Sequence, residues 1–278
     1  SYLSDIKSFE KYLLKRKITF KKTINDTEIV KKYFRYLSRS KISPRSIKRK
    51  FSSLSSYFSY LIDRKTIKKN PLNGIYTPKL TKKLPTVLSV EEIKQIFKQS
   101  ENTNNELLGL RDRCIIELLY SCGLRVSELC ELKVNNIQFD ANVIRFFGKG
   151  NKERIIPLTF YAKEWLEKYL YQSRQILSNR KLSDQKYVFL SNNGKRLTRA
   201  AIWQSIKKYV NAAGITKTVS PHTFRHSFAT HLVDGGANLV EIQKLLGHSD
   251  ISTTEIYVHL SKEFIDSEYM KAFDKKKN

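Results

Sequence analysis

Residues 143–157 read VIRFFGKGNKERIIP. Val143–Phe147 and Arg154–Pro157 flank the turn Gly148-Lys149-Gly150-Asn151-Lys152, which is a hairpin signature. Outward from this strand pair, in both directions, the apolar spacing is helical. Downstream, helices are expected at about 159–178, 198–213, 222–234, 238–246 and 261–273; upstream, at about 89–99, 105–121 and 126–132. Ser89 opens the first of these, with Glu92 three residues on completing a capping box. The fold class read from this pattern is mainly α with a small β-sheet.

The N-terminal stretch is also helical. Leu3, Ile6, Phe9, Leu13 and Leu14 recur at helical spacing, and Asp26 or Thr27 can cap a helix carrying Ile29, Val30, Phe34 and Leu37. Ser43-Pro44 pairs a capping hydroxyl with proline at the first helical position. The helix it starts shows Ile47, Phe51, Leu54, Phe58 and Leu61, a 4-3-4-3 spacing that makes one apolar stripe, and Asn70-Pro71 is expected to end it. Residues 72–87 (LNGIYTPKLTKKLPTV) then lose periodicity and read as a linker. Two domains are expected, 1–74 and 84–278, joined by 75–83.

Charge narrows the function. The 278 residues carry 52 Lys and Arg against 26 Asp and Glu, a net of +26. Residues 1–80 hold 21 basic and 5 acidic side chains, a net of +16 in under a third of the chain. A surplus this large favours a polyanionic partner over a small acidic substrate. Arg45, Lys48, Arg49 and Lys50, at the start of the helix that Ser43-Pro44 opens, have almost no acids nearby and are the candidate nucleic-acid contacts. No apolar run approaches the ~20 residues of a membrane span, and the lysine-rich first 30 residues do not form a signal peptide. Cys114, Cys122 and Cys130 read as reduced thiols of a cytosolic protein, without the CxxC pair of a structural zinc site.

The chemistry-bearing residues cluster. All five histidines fall between 222 and 259. Two sit in Pro221-His222-Thr223-Phe224-Arg225-His226 and a third in Leu246-Gly247-His248-Ser249; Ser252-Thr253-Thr254-Glu255-Ile256-Tyr257 follows. Far upstream, Gly123-Leu124-Arg125-Val126-Ser127-Glu128-Leu129 follows an apolar helix. His222 and His226, one turn apart, have the spacing of a zinc pair, but Arg225 between them repels a dication and no HExxH glutamate follows, so no metal site is expected.

The strings GLRVSEL, GKGNKERIIPL, HTFRHSFATHL and LLGHSDISTTEIY, in this order, resemble the tyrosine recombinase (phage integrase) family, most of all its Xer branch. The resemblance runs over essentially the whole chain. It implies a helical core-binding (SAM-like) domain and a mixed α/β catalytic domain that clamp duplex DNA. It also implies cleavage and rejoining through a 3′-phosphotyrosine, without metal, nucleotide or other cofactor. Tyr257 matches the nucleophile, Arg125 and Arg225 the two phosphate-binding arginines, and Lys149 the general acid for the 5′ oxygen. His222 matches the proton-transfer histidine and His248 a ligand of the scissile phosphate. On spacing alone Lys149 and Lys152 are equal candidates.

The residue types suit that chemistry. A tyrosine that attacks phosphorus stores the bond energy in an ester, so no ATP is needed. Arginine forks stabilise charge on the non-bridging oxygens without ever deprotonating. The resemblance further implies assembly of four protomers on two DNA sites, with the terminal helix 261–273 docking in trans. A paralogous recombinase and a DNA translocase are conceivable partners; a cytoplasmic location and dimer resolution in cell division are the expected setting. Rival readings are a mobile-element integrase, a relaxing topoisomerase and a non-catalytic DNA-binding protein.

Overall fold

The structure, a computed structural model, describes residues 2–40, 42–75, 86–147, 153–180, 184–238, 240 and 242. The hairpin tip, residues 239, 241 and 243–246 of the expected helix 238–246, and the whole of 261–273 lie outside the described residues. Two units are present, Ser1–Lys83 and Leu84–Asn278.

The first unit consists of α1 (Tyr2–Lys15), α2 (Phe20–Asn25), α3 (Thr27–Arg39) and α4 (Pro44–Asp63). The caps form as expected. Asp26 accepts from the Glu28 N–H and Ser43 from the Ser46 N–H, with Pro44 opening α4. Phe9, Val30, Tyr33, Leu37, Leu54 and Phe58 form the centre of the core. Its rings tilt against one another, with Phe9 at 4.8 Å from Tyr33 and 6.4 Å from Phe58 between centroids.

Two details depart from expectation. Leu3 and Leu14 are exposed, so the buried stripe of α1 is narrower than its apolar spacing. α4 ends at Asp63, seven residues before Asn70-Pro71. The stop is a backbone device that involves neither residue. Lys65 takes φ of 57°, the Thr66 N–H donates to Leu61 and the Lys65 N–H to Ile62.

In the second unit, α6 (Glu106–Ser121) runs through the middle and is buried at every position from Arg111 to Ser121. It packs against α5 (Val90–Glu101), α8 (Phe160–Lys168) and α11 (Pro221–Asp234), and also touches α10 (Arg199–Ala212). The Ser89–Glu92 capping box of α5 is present. Four buried charged residues inside α6, Arg111, Asp112, Arg113 and Glu117, are each compensated. Arg113 pairs with Glu117 and Glu101 and lies 3.5 Å from the Phe97 ring centroid, and Asp112 accepts from Arg111 and from the Tyr209 hydroxyl. α8 continues through a π turn, Tyr169–Arg174, into α9 (Gln175–Ser178). The expected helix 159–178 is thus present as one continuous run with a π segment, within which Tyr169 donates to the Val188 carbonyl and Arg174 to that of Tyr187.

The sheet is antiparallel in the order β1 (Ile137–Gln138), β2 (Val143–Phe147), β3 (Glu153–Pro157). β1 has only two residues, too few for an alternating pattern to reveal it. The hairpin register pairs Phe147 with Glu153 and Val143 with Pro157, so the tip comprises residues 148–152. Among the described residues no helix is long and apolar enough to cross a membrane.

Candidate active site

α6 stops at Gly123, whose φ of 58° is a conformation that side-chain-bearing residues adopt only under strain. Leu124 turns back into the core, fully buried, and its N–H reaches the Leu118 carbonyl. Arg125 then sits at the N-cap of α7 (Val126–Glu131). Glu128, three residues on, holds it twice: Oε2 accepts the Arg125 backbone N–H at 2.7 Å and Oε1 accepts Nη1 at 2.8 Å. The Arg125 side chain remains about a third exposed, at 35% accessibility.

Arg225 comes from α11, one hundred residues later in the chain. Ser220 caps that helix and Pro221 opens it, which sets Arg225 in its second turn. The side chain is buried and donates through Nη1 to the carbonyl of Gly123. Only Leu124 separates that carbonyl's glycine from Arg125, so both expected arginines converge on one turn. Burial lowers the Arg225 pKa to about 10, helped by the positive charges of Arg125 and Arg154 and opposed by Glu128. Arg225 therefore keeps its charge at neutral pH.

A further guanidinium joins them. Arg154 of β3 donates through Nη1 to the same Oε1 of Glu128 that Arg125 uses. Sequence reading passed over Arg154. The available signal was strand alternation: Arg154 and Ile156 share a face, and Ile156 is fully buried.

His222 lies three residues before Arg225 in the first turn of α11 and is exposed. His226 is half-buried. His231 bonds through Nδ1 to the Tyr120 hydroxyl at 2.9 Å, and burial pushes its pKa down, so it is a neutral packing group. No trio of metal-ligating side chains forms among the described residues. Lys149 and its rival Lys152, together with His248 and Tyr257, lie outside the described residues.

The four basic residues of α4 are not equivalent. Arg45 and Lys48 are exposed. Arg49 and Lys50 both pair with Asp5 of α1, which is 1% exposed and also accepts from the Ser53 hydroxyl at 3.0 Å. Asp5 was not singled out in the sequence because nothing local marks an acid in α1 as the partner of residues 44 and more positions away.

Comparison with known proteins identifies the family. The phage integrase family model matches residues 86–263, and the phage integrase N-terminal SAM-like domain model matches residues 1–65. The chain belongs to the phage integrase family. It is 40% identical over 272 residues to tyrosine recombinase XerD of Lacticaseibacillus casei, covering 98% of this chain and 90% of that one. The structure of XerH recombinase bound to palindromic difH substrate, a post-cleavage complex, aligns with a TM-score of 0.66 at 23% identity, over 88% of this chain and 72% of that one. The Tn1549 transposon integrase bound to circular intermediate DNA aligns with a TM-score of 0.60 at 23% identity, over 88% and 84%. The protein is a tyrosine recombinase, a site-specific enzyme that cleaves and rejoins DNA. Fold likeness spans both Xer and transposon enzymes, whereas the higher sequence identity lies with XerD.

Proposed function

We propose that this recombinase resolves chromosome or plasmid dimers during cell division, in the cytoplasm, by exchanging strands between two copies of a specific duplex site. The identity to XerD over nearly the full length of both chains supports this over the mobile-element reading. In this reading residues 1–74 form the core-binding domain, 75–83 the linker and 84–278 the catalytic domain. Tyr257 attacks phosphorus and Lys149 protonates the departing 5′ oxygen. Arg125 and Arg225 hold the non-bridging oxygens, His248 bonds the phosphate and His222 assists the tyrosine's proton transfer. The observation that carries the residue assignment is the convergence of Arg125 and Arg225 on the Gly123–Glu128 turn, from elements far apart in sequence. The direct test is incubation with a nicked suicide duplex carrying the target site. The expected product is a protein–DNA adduct with a 3′-phosphotyrosyl bond; a 5′ linkage, or none, rejects the reading.

Binding is expected to weaken steeply with salt. Neutralising Arg45 or Lys48 should each lower the log–log salt slope by about 0.9 if each meets one phosphate. Neutralising Arg49 or Lys50 should lower it less, because Asp5 already holds them. Equal losses at all four positions in a titration series would show that DNA displaces the Asp5 pairs.

Four protomers are proposed to assemble on two DNA sites, with or without a paralogous recombinase and a DNA translocase, through the segment 261–273. Ile265, Tyr269 and Phe273 recur there at helical spacing. Truncation after Leu260 should spare binding to one half-site while cooperativity and recombination fall. Full-rate recombination by the truncated chain would remove the segment from assembly.

A further inference from the structure

The guanidiniums of Arg125 and Arg154 share one carboxylate, that of Glu128, and Arg225 lies at the adjoining Gly123 turn, so the three arginines and one acid carry a formal surplus of two positive charges. Arg125 and Arg154 both donate to Glu128 Oε1, and Arg225 donates to the Gly123 carbonyl at the turn before Arg125. The Arg154 and Glu128 side chains are only 13% and 15% exposed, so their attraction is poorly screened by solvent. Arg154 also belongs to the strand that follows the hairpin tip bearing Lys149.

We infer that Arg154 is a positioning residue for strand cleavage, acting through Glu128 on Arg125. One carboxylate oxygen shared by two guanidiniums binds each more loosely than it would bind one. With Arg154 in place, Arg125 is oriented by Glu128 yet retains positive charge to direct at a phosphate. Without it, Glu128 has Arg125 as its nearest cation. The Arg125 fork then closes on the carboxylate, and the charge meant for the transition state is offset before the substrate arrives. Because Arg225 senses both Arg125 and Arg154, the potential at the Gly123 turn falls as well. A purely structural Arg154 would pin β3 to α7, and its loss would lower stability and DNA binding along with cleavage.

The inference rests on the reading of Arg125 as a phosphate ligand. It is tested in the full chain with R154Q, R154K, E128Q and the double variant R154Q/E128Q. Single-turnover covalent trapping, half-site binding and thermal unfolding are measured for each. R154Q is expected to slow trapping by about 10- to 100-fold, by analogy with the loss of groups that orient the ligands of metal sites, with binding and melting temperature close to wild type. R154K should recover part of the rate, since it restores charge without the fork. In the E128Q background R154Q should cost no more than about twofold, because the carboxylate it offsets is gone. A 5′-bridging sulfur at the scissile phosphate should not rescue R154Q. Equal slowing by R154Q in both backgrounds, sulfur rescue, or a parallel loss of binding and melting temperature would each overturn the inference. If the wild-type protein traps DNA normally, such an outcome leaves the recombinase reading intact. If the wild type traps none, the reading fails and takes the inference with it.

Discussion

Replacing Tyr257 by Phe is expected to reduce covalent attachment to DNA to nothing detectable, while DNA binding stays within a few fold of wild type. The substitution removes one oxygen. In the proposed reading that oxygen forms the new bond to phosphorus as the bond to the 5′ oxygen breaks, so the phosphodiester is exchanged for a phosphotyrosyl ester of similar energy. The 5′ hydroxyl of a second strand later reverses the step, and no external energy source enters. Affinity comes mainly from phosphate contacts spread over a chain of net charge +26, which the variant leaves unchanged. A denaturing gel separates the two properties. Adduct formed by the Phe variant would move the nucleophile to another of the chain's 15 tyrosines.

The second large effect separates leaving-group chemistry from charge stabilisation. Lys149→Ala should slow cleavage of normal DNA by about 10²–10⁴-fold, the usual contribution of a positioned acid. A substrate with sulfur at the 5′-bridging position should recover most of that loss, because a thiolate leaves without being protonated. Arg125→Ala should lose about 10²–10³-fold, as when one donor to a developing oxyanion is removed, and sulfur should restore none of it. The missing interaction is with the non-bridging oxygens, which the substitution does not touch. If sulfur rescued both variants equally, one of the two roles would be misassigned. Applying the comparison to Lys152→Ala as well resolves the choice between the two tip lysines that spacing left equal.

Much of this molecule was legible along the chain. Local physics decides helices and their starts, and Asp26, Ser43 and Ser89 cap α3, α4 and α5 where their hydroxyl or carboxylate precedes an apolar period. The hairpin was legible for the same reason, because strand, turn and strand are contiguous. The motifs naming the catalytic candidates were legible as strings, and the family comparison agrees with the resemblance they carry.

What the chain's order left open were pairings between distant residues. No local property of Asp5 foretells that it lies buried under Arg49 and Lys50 and so divides a cluster that reads as uniform. The end of α4 was set by Lys65 accepting a left-handed backbone, a choice made by the Leu61 and Ile62 carbonyls rather than by the proline expected to impose it. Arg154 reads as one more basic residue among 52. Only the antiparallel register, which turns its strand face inward beside Ile156, brings it to the oxygen that Arg125 uses. The sequence by itself thus determined the helical class, the hairpin and the identity of the candidate groups, because those depend on neighbours a few residues away. The tertiary structure decided which charges are spent on one another, because burial and Coulomb energy depend on distance in space and are blind to distance along the chain.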